Sequence, residues 1–226
     1  MKTSKITHQA FIAIALLFSA TFYSCKKNNI DDTGQFNLKV VNASATSTPQ
    51  SFTLAGNILV PGGLKYQDAT DYISSPSGTR LVAEFKNANG SVYASGEIFT
   101  ANTISQTVYL VGQGSKTRIK YFTDNLSAPN SGKVKIKFIH FSDNAPANIR
   151  IKDSSGGELQ NNITRNEDTG YKFVDPGTLS IQLSSTSSGD SLGAFNISGL
   201  QSGKIYDFYF TDAADGRLTI NQVLHN

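Results

Sequence analysis

The chain has 226 residues, with 20 basic and 17 acidic side chains, 38% hydrophobic residues and no tryptophan. Its single cysteine excludes an intrachain disulfide and a zinc site built on several thiolates. The small excess of positive charge gives no global attraction to nucleic acid, so no nucleic-acid partner is expected.

Residues 1–24 read as an export signal. "MKTSKITHQ" carries Lys2 and Lys5 and no acid, and "AFIAIALLFSATF" follows without a charge. Spanning a membrane takes about twenty apolar residues, whereas a short apolar core behind a basic start is the pattern of secretion. The segment ends "FYSC" and resembles a bacterial lipoprotein signal. Ser24 takes the small position before the cysteine, and Phe22 stands where an aliphatic residue is usual. The resemblance implies that Cys25 becomes the first mature residue and carries lipid on its sulfur and amine. Several acyl chains anchor stably where a single chain is marginal. The mature protein is therefore expected as a lipoprotein of the cell envelope, on the outer membrane. Losing Lys2 and Lys5 leaves 18 basic against 17 acidic residues.

Residues 25–35, "CKKNNIDDTGQ", are polar and aperiodic, which suits a tether. Beyond them the period is two. In "KVKIKF" Lys133, Lys135 and Lys137 alternate with Val134, Ile136 and Phe138. "GTLSIQL" and "GKIYDFYF" alternate likewise, and Asn89–Gly90 marks a tight hairpin. Short strands with frequent turn signals indicate a sandwich or barrel. The segment 126–132 is polar, contains Pro129 and Gly132, and reads as a linker between a first domain at 36–125 and a second at 133–226.

The two halves repeat at an offset of about 98 residues. "NLKVVNAS" parallels "KIKFIHFS", "SFTL" parallels "NIRI", and "TRIKYF" parallels "GRLTIN". "DYISSPSGT" parallels "GYKFVDPGT", placing Tyr72 on Tyr171. In "LQSGKIY" the spacing of Leu200, Gly203 and Tyr206 resembles the tyrosine corner of immunoglobulin-like folds. Tyr109 is expected near the equivalent place in the first half. The expected fold is all-β, with two tandem immunoglobulin-like antiparallel β-sandwich domains.

"IHFSDNAPANIRIKD" resembles the opening of repeats in the family called domain of unknown function 4397. His140, Ser142, Asp143, Ala145 and Pro146 match its pattern, and the proline usual after the serine is missing. The first half keeps Ser44 and Pro49 but has Asn42 where His140 stands. The resemblance implies a β-sandwich in a secreted or lipid-anchored bacterial protein and brings no activity with it.

Several groups could carry chemistry. "GDSLG" (189–193) matches a nucleophile elbow around Ser191, but an elbow needs a strand-to-helix turn, and here alternating strands flank it. His140 lies in phase with Ile136 and Phe138, which suits a buried histidine held by a backbone partner. His225, beside the terminus, is expected to be mobile. The acidic loops "NEDTG" and "DAADG" lack the spaced ligands of a calcium loop. No catalytic residue, metal or cofactor is expected. The basic stripe of Lys133, Lys135, Lys137, Arg150 and Lys152 offers a patch for an anionic ligand, if the strands carrying it pair side by side. The expected function is a lipid-anchored envelope module for binding, adhesion or structure, with an anionic glycan or an envelope protein as partner. An accessory subunit of an envelope complex handling polysaccharide is the alternative, and a serine hydrolase through Ser191 comes third.

Overall fold

The computed structural model describes residues 32–226. The export signal and the lipidation site at Cys25 lie outside the described residues.

The first eight strands are β1 Gln35–Asn42, β2 Gln50–Leu54, β3 Asn57–Leu64, β4 Ile73–Pro76, β5 Leu81–Lys86, β6 Val92–Ile98, β7 Ser105–Val111 and β8 Arg118–Asp124. The next eight are β9 Val134–His140, β10 Asn148–Asp153, β11 Glu158–Thr164, β12 Lys172–Val174, β13 Gly177–Ser185, β14 Ser191–Leu200, β15 Ile205–Asp212 and β16 Leu218–Leu224. Each set builds two four-stranded sheets. The inner sheets run β4-β1-β7-β8 and β12-β9-β15-β16, and the outer sheets run β3-β2-β5-β6 and β11-β10-β13-β14. The chain is thus an all-β protein of two tandem sandwich-like domains with the same strand order.

One element of the expectation fails. The inner sheets are mixed rather than purely antiparallel, because β1 pairs with β7, and β9 with β15, in parallel, while the outer sheets are antiparallel throughout. A two-residue hairpin enforces antiparallel pairing. These partners are instead separated by most of a domain, so no turn dictates their direction. The hairpin at Asn89–Gly90 also differs. Only Gly90 has a positive φ, at 81°, and its N–H bonds to the Asn87 carbonyl at 2.8 Å. The register shifts between Phe85 and Lys86, so this is a longer turn closed by a glycine bulge.

Alternation fills a core inside each domain. Phe36, Leu38, Val40, Phe52, Phe85, Val108 and Leu110 are among the first, and Ile136, Phe138, Ile151, Leu183, Phe208 and Phe210 among the second. Cutting one such side chain back to alanine costs about 2–5 kcal/mol. Tyr206 belongs to this second core, its ring stacked on Phe208.

A third apolar cluster joins the domains. Val41, Ala43, Tyr109 and Val111 of the first meet Ile139, Phe141, Tyr209 and Val223 of the second. The inner sheets are therefore covered on both faces, and every residue of β9 is buried.

Register relates the copies residue by residue. Leu38 stands opposite Ile73 and Ile136 opposite Lys172, so Tyr72 matches Tyr171. Val41 stands opposite Tyr109 and Ile139 opposite Tyr209, so Tyr109 matches Tyr209 rather than Tyr206. Phe52 faces Phe85 and Ile151 faces Leu183, which moves the match of β2 with β10 two residues from the sequence alignment.

Candidate functional site

The groups singled out in the sequence do not assemble into one site. Lys133 is half exposed and pairs with Asp175 at 2.6 Å. Lys135 is buried, its ammonium donating to the Asn125 and Ser127 carbonyls at 2.8 and 3.1 Å. Lys137 is buried between the domains. Arg150 and Lys152 lie on β10, in the outer sheet, whereas the three lysines flank or occupy β9 in the inner one. The expectation of a five-residue stripe on paired strands is thus corrected. The inward-facing lysines serve the domain boundary because the neighbouring domain covers their face of the sheet.

What the boundary does assemble is an ion cluster. Lys137 Nζ lies 3.4 Å from Asp124 Oδ1 and 3.2 Å from Asp207 Oδ2. Asp168 stands at 4.0 Å. Thr107 and Tyr72 donate to Asp124 Oδ2 at 2.6 and 2.8 Å. Tyr109 and Tyr171 donate to Asp207 at 2.9 and 3.2 Å. The Tyr171 ring lies beneath the Lys137 ammonium, 4.8 Å away.

His225 completes it, and so is not a mobile terminal residue. Its Nδ1 lies 2.7 Å from the Tyr72 oxygen and its Nε2 lies 3.1 Å from Asp207 Oδ1. The Nε2 contact is short but does not form a directed hydrogen bond. Tyr72 has one hydroxyl proton, and donating it to Asp124 obliges His225 Nδ1 to donate to the tyrosine oxygen.

The electrostatics follow from burial and pairing. Burial and the Asp207 charge push the Asp124 carboxyl up. Burial alone would raise Asp207 too, but Lys137 and His225 outweigh it and hold that carboxyl low. For Lys137 burial opposes the charge, and Asp207, Asp124 and Asp168 overcome it. Burial raises the Tyr72, Tyr109 and Tyr171 hydroxyls, which stay protonated as donors.

Asp124, Asp207 and His225 also form a set with metal-ligand chemistry, their donor atoms lying within 4.8 Å of one another. Sequence reasoning missed this set, since its members come from three strand ends. The cation between the two carboxylates is the chain's own Lys137 ammonium, so the geometry is that of a buried ion-pair network rather than an open metal centre.

His140 is fully buried with Nε2 at 2.9 Å from the Pro146 carbonyl, and burial pulls its pKa down. The neighbouring family motif builds a turn. Ser142 Oγ donates to Asp212 and accepts from the Ala145 N–H, while Asp212 also accepts from the Asp143 N–H. Arg118 of the first domain holds this turn through Asp143 at 2.9 Å. Ser191 opens β14 in an exposed position, its Oγ accepting from the Gly193 N–H at 3.4 Å. The two described histidines are engaged elsewhere, and no catalytic cluster is formed around Ser191 among the described residues.

Arg150 and Lys152 border a trough of about 490 Å³ on the outer face of the second domain. Gln182, Ser184, Ser191 and Ala194 complete much of its wall, and among the described residues no acidic side chain lines it. Glu158 stands opposite Lys152 in the β10–β11 register, which leaves Arg150 the less compensated cation.

Fold and sites together define an all-β tandem-repeat protein without an assembled catalytic group among the described residues. The family described as Domain of unknown function (DUF4397) matches residues 36–150, and the chain belongs to that family. No curated protein matches. Similar solved structures include a candidate cell adhesion protein from Bacteroides uniformis ATCC 8492, at 11% identity and TM-score 0.27, covering 84% of this chain and 97% of that one. A second such protein, from Bacteroides ovatus ATCC 8483, shows 10% identity and TM-score 0.26 over 86% and 98% of the two chains. Family 41 carbohydrate-binding modules from streptococcal virulence factors, described for alpha-glucan recognition, show 10% identity and TM-score 0.27 over 82% and 97%. Likeness at this level transfers no property to this chain.

Proposed function

We propose that this protein is a lipid-anchored, non-catalytic binding module of the bacterial cell envelope, with an anionic glycan or other polyanion as ligand. The domains at 36–125 and 133–226 form its body, with the segment 126–132 between them. Cys25 carries the lipid, and residues 25–35 tether the body to the outer membrane.

The observation that supports the reading is the trough beside Arg150 and Lys152, which offers two cations and no acid in its lining. Exposed charges attract a polyanion at low ionic strength and lose it as salt screens them. The experiment is binding of the detergent-solubilised full chain to immobilised heparin and to phosphatidylglycerol vesicles across a salt series. Binding that falls steeply with salt, and is weakened when Arg150 and Lys152 are both replaced by glutamine, is the expected result. Equal binding by the wild type and the double variant removes the trough from the ligand site.

A further inference from the structure

The two repeats differ at the mouth of the sandwich, where the last strand of the outer sheet meets the last strand of the inner one. In the first repeat this mouth is shut. A Cβ placed on Gly96 of β6 would lie 3.4 Å from the Ile119 side chain of β8, already in van der Waals contact, so the strands lie close and leave no room for a large side chain there. Tyr121 and Ile119 pack inward against the core there. Arg80 and Glu97 tie the flanking strand at 3.0 Å.

Register identifies the counterparts in the second repeat. Ala83 faces Gly96 and Ile181 faces Phe195, so a phenylalanine replaces the glycine. Val108 faces Tyr121 and Phe208 faces Gln222, so an amide replaces the inward tyrosine. Val82 faces Glu97 and Ser180 faces Asn196, so a neutral amide replaces the ion-paired acid. The Phe195 ring packs against Phe210 and stands where close approach would be needed.

The result is a cleft of about 380 Å³ between β14 and β16. Gln67, Asn196, Asn221 and Gln222 supply its polar wall, and Ile220 supplies apolar surface above the buried Phe208. Among the described residues no ionisable side chain lines it. Gln67 reaches in from the first domain with φ at 72°, its amide donating to Asn221 Oδ1 at 2.5 Å. Opposite Asn221 lies Tyr209, whose buried hydroxyl has no hydrogen-bond partner among the described residues. Gln222 occupies a core-facing register position beside Phe208, yet it carries a donor and an acceptor.

We infer that this cleft binds a neutral, polyhydroxylated ligand, such as a segment of an uncharged oligosaccharide. Gln222 brings an NH2 donor pair and a carbonyl acceptor that match adjacent hydroxyls, while Gln67 and Asn221 are bonded to each other and Asn196 accepts from the Ser180 hydroxyl. The partly exposed Ile220 side chain suits the C–H face of a sugar ring, since apolar surface beside a few placed polar groups is the usual make-up of a ligand site. The lack of charge separates this cleft from the basic trough on the same domain. Its ligand binding is therefore independent of salt and of Arg150 and Lys152.

The test is isothermal titration calorimetry of the detergent-solubilised full chain with maltohexaose, cellohexaose, laminarihexaose, xylohexaose and mannohexaose, each to about 10 mM. Binding of at least one sugar, unchanged by salt, is the expected result. Gln222→Tyr, which gives the second repeat the residue of the first, should weaken it at least about tenfold. Asn221→Ala should weaken it as well. The Arg150→Gln/Lys152→Gln variant should bind the sugar as the wild type does. The inference is overturned if folded protein binds none of the five sugars, or if both cleft variants bind as tightly as the wild type. Loss of sugar binding in the trough variant alone would overturn it too, by moving the site to the trough.

Discussion

The Tyr109 hydroxyl donates a 2.9 Å hydrogen bond to Asp207 Oδ2, from the inner sheet of the first repeat to that of the second. Tyr109 and Asp207 are both fully buried. The bond therefore binds the repeats only while a full set of partners keeps the carboxylate satisfied. Lys137 is the central member of that set, because among the described residues it alone forms salt bridges to both Asp124 and Asp207.

Removing this cation leaves two buried carboxylates facing each other. Lys137→Met keeps the length of the side chain and deletes its charge, so the destabilisation is expected at about 3–5 kcal/mol. Urea unfolding measures it. A loss under about 1 kcal/mol would show that the carboxylates are already neutral and that the network is not ionic.

Stability should depend on pH with two opposite signs. Asp207 is held low, so it contributes stability above its unfolded value of about 3.9, lost as pH falls through the folded value. Asp124 is pushed up, so its contribution is full below about 3.9 and is lost as pH rises through its folded value. Lys137 is held high and contributes below about 10.4, a contribution lost only as pH rises through its folded value. Unfolding free energy should therefore peak in mild acid. Asp124→Asn should flatten the decline above about pH 4 and leave the acid limb in place. Parallel pH profiles for the variant and the wild type would contradict the assignment.

A fragment of residues 132–226 retains one complete core but loses the cover over Ile139, Phe141 and Tyr209. An exposed patch of that kind seeks a partner. The inner faces of the two repeats are equivalent by register, so the fragment should fold cooperatively and self-associate through its inner sheet. Sedimentation or size-exclusion chromatography reads this directly. A stable monomer with the melting temperature of the whole chain would show that the boundary contributes little.

Ser191→Ala should leave the thermal melt unchanged, since the residue is exposed at the start of β14. Its hydroxyl accepts only a long bond from the Gly193 N–H. An organophosphate probe should not label the wild type. Covalent labelling that disappears in the variant would establish a nucleophile.

Cys25→Ala should abolish incorporation of a labelled fatty acid and move the protein from the membrane to the soluble fraction. Label retained by the variant would place the anchor elsewhere.

The alternation of "KVKIKF" and the offset repeats were enough to establish strands, an all-β class and a duplication. These follow from local periodicity, which a strand imposes on its own residues. Periodicity tells only that a strand has two faces, not what covers each. Val134, Ile136 and Phe138 had to be inside. Lys135 and Lys137 read as solvated, because nothing nearby in the chain says that a second domain lies over them. The same limit hid His225, which the last strand delivers to Asp207 and Tyr72, 18 and 153 residues away. It also hid the parallel pairings, which no turn signals. The difference between the two sandwich mouths was present in the sequence as Gly96 against Phe195 and Tyr121 against Gln222. Only the register of the folded strands shows that these residues correspond, and only the packing of two sheets turns a glycine-to-phenylalanine change into an open cleft.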